Sequence, residues 1–307
     1  MHTLRSVTLD APAKINLTLD VLGIRPDGYH EVTMVMQTVS LVDTVRLEKR
    51  ASGISLSIDG NVALEADETN LAYRAAKHFF QTQKVTGGVH IHLMKRIPMA
   101  AGLAGGSTDA AAVIKGLSIL YQPTPCRQDL LDMCASIGSD VPFCYEGGTM
   151  LATGRGEILE RLPDAPAFFV VLAKPKAAVS TAWVYKRADA FGALPHPATE
   201  TMLEAIRSQD VESIKKHLKN VLEVVTIEEY PEIRRLKDFM EMHGAAALMS
   251  GSGPTVFGLL EGRAEAEVLL TKLRHEFPGT ESFLSWTIPK APPAETQSST
   301  AKIEERG

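Results

Sequence analysis

Residues 98–109 read Pro98-Met99-Ala100-Ala101-Gly102-Leu103-Ala104-Gly105-Gly106-Ser107-Thr108-Asp109, and the architecture turns on them. The alternating Val89, Ile91 and Leu93 lead in as a strand. Ala110, Val113, Ile114, Leu117 and Leu120 lead out at helical spacing, over 106–120. Small residues at such a junction let the backbone approach a ligand closely. The helix opens with unpaired N–H groups and a partial positive charge, so the junction is suited to a phosphate. Ser107 and Thr108 add hydroxyl donors. The stretch is neither a Walker A motif nor a dinucleotide fingerprint, since it lacks GxxxxGK(S/T) and its glycines do not fall as GxGxxG. A plain turn capped by Ser107 or Thr108 is the structural alternative. A second run of small residues, Gly244 to Pro254, raises the case for phosphate, because two such loops suggest a backbone crowded around a ligand from two sides.

Upstream, residues 5–22 alternate as a strand, which places Lys14 and Asn16 on one face and Ile15 and Leu17 on the other. Pro26-Asp27-Gly28 signals a turn. Strands are expected over 32–41, 44–49 and 54–58, and helices over 70–83 and 128–137. Strands first and then mixed elements indicate an α+β fold. Downstream, strands are expected at 168–172, 246–249, 255–260 and 282–288, and helices at 181–190, 198–221, 229–243 and 263–276. Pro163-Asp164-Ala165-Pro166 is the expected boundary between two domains, 1–165 and 166–290. The segment 291–307 lacks apolar periodicity and is expected to be disordered.

The chain has 307 residues, 45% hydrophobic and 22% charged, with a formal net charge of −5. That composition is globular. Without a basic stripe, a nucleic-acid partner is not expected. No apolar run reaches membrane-spanning length and no signal peptide is legible, so a cytoplasmic protein is expected, without a membrane partner. Cys126, Cys134 and Cys144 fit neither a disulfide framework nor a zinc pattern and read as buried structural thiols. His90 and His92 share a strand face without a third ligand nearby, so they read as surface or satisfied histidines.

Three segments together carry a resemblance: Ala11-Pro12-Ala13-Lys14-Ile15-Asn16-Leu17, the 98–109 loop, and Ser250-Gly251-Ser252-Gly253-Pro254. They resemble the motifs of the small-molecule kinases that include galactokinase, homoserine kinase, mevalonate kinase and phosphomevalonate kinase. The segments around Asp27-Gly28-Tyr29-His30 and Gly138-Ser139-Asp140-Val141-Pro142-Phe143 resemble one branch. Its members phosphorylate the 2-hydroxyl of a cytidine-diphosphate-linked methylerythritol in non-mevalonate isoprenoid synthesis. The resemblance implies an N-terminal domain like the second domain of ribosomal protein S5, a ferredoxin-like C-terminal domain, and an active site in the cleft between them.

It also implies roles. Asp140 matches the catalytic aspartate and Lys14 the lysine beside it. Tyr29 and His30 match a cytosine-recognising pair, with Tyr185 over the other ring face. Asn16 and Thr181 match polar substrate contacts. ATP phosphates fall to Pro98, Met99, Ala100, Ala101, Gly102, Leu103, Ala104, Gly105, Gly106, Ser107 and Thr108. Asn70, Lys95 and Met99 fall by the adenosine. Mg2+ is expected with ATP, although no carboxylate cluster names its ligand. A monomer or weak homodimer is expected.

Taken singly, these residues have ordinary readings: an Asp before Val-Pro is a turn or cap residue, a strand lysine a solvated side chain, and Tyr29 a hairpin residue covering core. Family members commonly carry glycine where this loop has Ala100, Ala101 and Ala104. Ordinary dihedrals are therefore expected at the alanines, and a left-handed one would put nucleotide binding in doubt. A sister kinase acting on another alcohol, or a catalytically silent nucleotide-binding regulator, are the alternatives. The paired Lys14 and Asp140 argue against the second.

Overall fold

The computed structural model describes residues 4–60, 64–123, 125–192 and 194–289, so the 291–307 tail lies outside the described residues. Two long strands, β1 (Ser6–Ile24) and β2 (His30–Arg50), form an antiparallel hairpin that runs the length of the first sheet. Its register shifts between Pro12 and Lys14, between Asn16 and Thr18, and between Val21 and Gly23. Such irregularities re-aim side chains locally. Strands β3 (Gly53–Asp59) and β4 (Gly88–Met94) pair in parallel, and β4 joins β2. Helix α1 (Leu71–Gln83) connects them. Helices α2 (Gly105–Tyr121), α3 (Arg127–Ile137) and α4 (Val141–Glu146) follow, and then β5 (Thr149–Thr153) and β6 (Ile158–Arg161) extend the sheet from the far end of β2.

The second sheet contains β7 (Phe169–Lys174), β9 (Ala246–Met249), β10 (Val256–Leu260) and β11 (Glu281–Trp286) in the order β11-β7-β10-β9, all antiparallel. Numbered within the sheet, that order is 4-1-3-2, the ferredoxin-like arrangement. Between β7 and β9 run α5 (Thr181–Asp189), α6 (Thr199–Ser208), α7 (Val211–Lys216), the two-residue β8 (Lys219–Asn220), α8 (Val221–Glu229) and α9 (Pro231–Met242); α10 (Arg263–Glu276) precedes β11. β8 crosses to pair in parallel with β1 at Thr18 and Leu19, tying the later half of the chain into the first sheet.

The α+β class is as the sequence indicates, with local differences. The helix expected over 198–221 is broken at Gln209, whose φ is 58°, and Asp210 caps a new helix by accepting from the Ser213 N–H at 3.0 Å. The strands expected at 32–41 and 44–49 are one, because Val42 and Asp43 stay in the ladder opposite Pro12 and Ala11. Cys134 and Cys144 are buried, but Cys126 is exposed, capping α3 with its sulfur. Burial pushes the Cys134 thiol up to about 12 and the Cys144 thiol higher, so both stay protonated. The polar face of β1 is not solvated. Ala13, Ile15 and Leu17 pack towards Phe168, Leu172 and Phe257 of the second sheet, while Lys14 and Asn16 are buried as well.

Candidate active site

β4 delivers the chain to Lys95, and Asp43 on β2 receives it. One Asp43 oxygen accepts from the Arg96 N–H at 2.5 Å and the Ile97 N–H at 2.8 Å, and the other takes the Lys95 ammonium. Lys95 also reaches Asp109, just past the first turn of α2, at 2.5 Å. All three side chains are at most 3% exposed. One cation thus faces two carboxylates away from water. Burial raises the Asp109 carboxyl to about 7 against the pull of Lys95, and its second oxygen has no partner. This triad ties both ends of the 96–109 segment to the first sheet.

Between those ends the loop is pressed from two sides. The Lys14 N–H donates to the Leu103 carbonyl at 3.2 Å, and the Ser250 hydroxyl donates to the Gly102 carbonyl at 3.0 Å. Gly102 has φ +72°, and a Cβ there would lie 2.1 Å from the Ser250 carbonyl, so only glycine fits. The second small-residue loop is held in turn by Asn220, whose amide donates to the carbonyls of Met249 and Gly251 at 2.8 and 2.7 Å.

The loop overturns the expectation of ordinary dihedrals, the condition on which nucleotide binding was put in doubt, yet Ala100, Gly102, Ala104, Gly105 and Gly106 still line the cavity. Ala100 has φ 48° and Ala104 φ 59°, both left-handed; of the three alanines only Ala101 avoids that region. Ala104 is the N-cap residue of α2, where a left-handed turn leads the loop into the helix, and the alanine Cβ is carried there at a cost of roughly 1–2 kcal/mol.

A cavity of about 1200 Å³ opens over this loop. Lys14 lies at its floor, 4% exposed, with its ammonium 2.7 Å from the Asn16 amide oxygen and 3.7 Å from Asp140. Asp140 precedes α4 without capping it, and its side chain is 31% exposed, so the carboxylate faces the cavity with coordination to spare. Tyr185 on α5 is near enough that the Asp140 charge, after burial, pushes its hydroxyl well above the usual phenol range. Thr181 opens α5 and shares a 2.8 Å hydrogen bond with Ser252. Tyr29 stands on the β1–β2 turn, 53% exposed, with the Arg155 guanidinium 4.8 Å from its ring centre. His30 packs on Tyr185.

On the loop side, Pro98 through Gly102, Ala104, Gly105, Gly106 and Ser107 line the cavity, as do Asn70 and Lys95. Asn70 is largely occupied in capping α1, accepting from the Ala72 N–H at 2.9 Å. Three residues singled out from the sequence lie behind the wall. Asn16 is fully buried and holds Lys14. Leu103 packs into the core. Thr108 donates its hydroxyl to the Pro12 carbonyl at 2.8 Å, so it is not free for a phosphate. His90 bonds Ser55 and Ser57, and His92 pairs with Asp59. No group of three or more His, Cys, Asp or Glu side chains among the described residues is placed to hold a metal ion.

Sequence reasoning passed over Arg155, Asp189, Asp43 and the ion pairing of Asp109. Arg155 left a signal, since Gly154 and Gly156 flank it at φ 71° and 110° in a turn that lifts its side chain. The others gave none, because their partners are distant in sequence.

Residues 70–148 match the GHMP kinases N terminal domain and residues 202–279 the GHMP kinases C terminal domain. The 4-diphosphocytidyl-2-C-methyl-D-erythritol kinase of Acetivibrio thermocellus is 44% identical over 286 residues, covering 93% of this chain and 100% of that protein. The protein of the same name from Geobacillus kaustophilus is 48% identical over 270 residues, 87% of this chain and 93% of that one. A crystal structure of 4-(cytidine 5'-diphospho)-2C-methyl-D-erythritol kinase superposes with a TM-score of 0.75 at 35% identity, covering 93% of this chain and all of that one. Homoserine kinase from Cytophaga hutchinsonii has the same TM-score at 18% identity over 94% and 96% of the two chains, which speaks for the fold alone.

Proposed function

The chain belongs to the GHMP kinases, ATP-dependent kinases of small molecules, and from that premise we propose that it phosphorylates the 2-hydroxyl of 4-diphosphocytidyl-2-C-methyl-D-erythritol in the non-mevalonate route to isoprenoid precursors. The observation that carries the reading is the Lys14–Asp140 pair, 3.7 Å apart on the floor of one cavity, with the small-residue loop on one side and Tyr29, His30 and Tyr185 on the other.

ATP lies with its phosphates along Gly102 to Ser107, where the start of α2 offers N–H groups to oxygen anions. Asn70, Lys95 and Met99 border the adenosine. Mg2+ would accompany the nucleotide, bound through its phosphates, and would supply charge neutralisation. The chain contributes no carboxylate cage of its own among the described residues. The ring of Tyr29 stacks on the cytosine opposite Tyr185, His30 meets the base edge, and Arg155 is in reach of the diphosphate. Thr181 steers the linked alcohol towards Asp140. Residues 1–165 form the nucleotide-binding domain and 166–290 the second domain.

Phosphoryl transfer passes through a loose transition state, so the protein's work is positioning and charge stabilisation. Asp140 accepts a hydrogen bond from the substrate hydroxyl, aims the hydroxyl oxygen's lone pair at the γ-phosphorus, and takes the proton as the new P–O bond forms and the bond to the departing ADP breaks. Lys14, 3.7 Å from Asp140, offsets negative charge as it builds on the transferring group. Asn16 holds the lysine in place from beneath. The test is an assay with purified protein, magnesium-ATP and a panel of alcohols, following ADP release and product mass. Stoichiometric ADP and a phosphorylated cytidine-diphosphate product support the reading; turnover of homoserine or mevalonate in its place contradicts it.

A further inference from the structure

His30 opens β2 and Asp189 closes α5, yet the two meet beside the cavity. Nε2 of His30 lies 2.8 Å from an Asp189 oxygen, and the imidazole packs on Tyr185 with ring centres 4.7 Å apart. An ionised carboxylate only accepts, so the nitrogen facing it carries the hydrogen. In the neutral ring Nδ1 is then an acceptor. Nδ1 has no hydrogen-bond partner among the described residues, and His30 lines the cavity. Thr181, Tyr185 and Asp189 recur at every fourth position of α5, so they lie along one helix face, and all three line the same cavity. The helix that stacks on the ring therefore also sets its hydrogen.

We propose that Asp189 is a specificity-determining positioning residue: it holds the His30 hydrogen on Nε2, leaving Nδ1 to accept from the exocyclic amino group of cytosine and to reject the carbonyl that uracil carries at that place. The inference rests on the reading that His30 meets the base edge. Cytosine presents a donor there and uracil an acceptor. An acceptor set against an acceptor leaves both unpaired in a confined site, which is how a hydrogen-bonding pocket discriminates.

The test compares kcat/KM for the cytidine-diphosphate substrate with that for its uridine-diphosphate analogue, in wild type, Asp189→Ala, Asp189→Asn and His30→Ala. In Asp189→Ala the preference for cytosine is expected to fall about tenfold or more, chiefly through a lower KM for the uracil analogue. The amide oxygen introduced by Asp189→Asn still accepts from Nε2–H, so this variant should keep the ratio within about threefold of wild type. Nitrogen NMR of histidine-labelled protein, with the His30 signals assigned by their loss in His30→Ala, reads the tautomer without turnover. It should show hydrogen on Nε2 in wild type and a substantial Nδ1–H population in Asp189→Ala. An unchanged ratio and tautomer in Asp189→Ala, while His30→Ala abolishes discrimination, would overturn the role of Asp189 and leave His30 as the reader of the base. An unchanged ratio in His30→Ala as well would overturn the reading of the base edge and this inference with it.

Discussion

Lys95 looks from the sequence like a ligand-facing lysine, and its surroundings give it a second task. It lies buried between Asp43 and Asp109, so its removal would leave two carboxylates facing each other without water. Breaking such a cluster from one side costs about 3–5 kcal/mol. Lys95→Met should therefore lower the urea midpoint by that equivalent, before any loss of nucleotide affinity is considered. The Asp109 carboxyl, raised from 3.8 to about 7 by burial, adds a pH signature. Between those values the folded protein binds more protons than the unfolded chain. This contribution is thus fully present below about pH 4 and is lost as pH rises through about 7. Asp109→Asn should make the unfolding free energy fall less steeply than wild type over about pH 4 to 7; parallel curves would show that Asp109 does not titrate there. Tyr29 belongs to the same scale. Its ring is half exposed, so Tyr29→Ala should fold normally. Loss of one stacking face, worth about 1–3 kcal/mol, should raise KM for the cytidine-containing substrate about five- to 150-fold with little change in kcat.

Among the elements, the loop from Pro98 to Ala104 carries the sharpest local conflict between sequence and shape. Ala100 and Ala104 are left-handed, where glycine would sit without a steric penalty. Glycine costs more unfolded-state entropy, which offsets part of the relief. Ala104→Gly and Ala100→Gly are each expected to stabilise the protein by roughly 0.5–1 kcal/mol, read as a rise in melting temperature. A fall in melting temperature would mean that the alanine methyls make contacts outweighing their strain. What was legible here was the element itself. Strand alternation before Lys95 and helical spacing after Gly105 locate the junction, because both periods are long and uninterrupted. The dihedrals were not legible, since they follow from the squeeze between β1 and the Ser250 turn, which no local pattern records. The same physics explains the break of the expected 198–221 helix: its apolar spacing continues past Gln209, and only a left-handed residue followed by an Asp cap marks the end. The stretch 141–161 carries α4, β5 and β6, each too short for its period to show.

In the whole molecule, the cavity is assembled from distant parts. β1 supplies Lys14, the β1–β2 turn supplies Tyr29 and His30, the approach to α4 supplies Asp140, and α5 supplies Thr181 and Tyr185. Motif order along the sequence names most of this set, because each motif needs unusual residues at a fixed place. Arg155 and Asp189 enter through long-range packing, which single-sequence spacing cannot express. β8 pairing with β1 and the Ser250 loop pressing on Gly102 tie the half that carries Thr181 and Tyr185 to the half that carries Lys14 and Asp140. The most direct check of that chemistry is a single-turnover, rapid-quench measurement of phosphoryl transfer in Asp140→Asn, alongside ATP affinity by calorimetry. The expected result is unchanged ATP binding with transfer slowed about 10²- to 10⁴-fold. Transfer at near wild-type rate by a fully folded Asp140→Asn protein would contradict it.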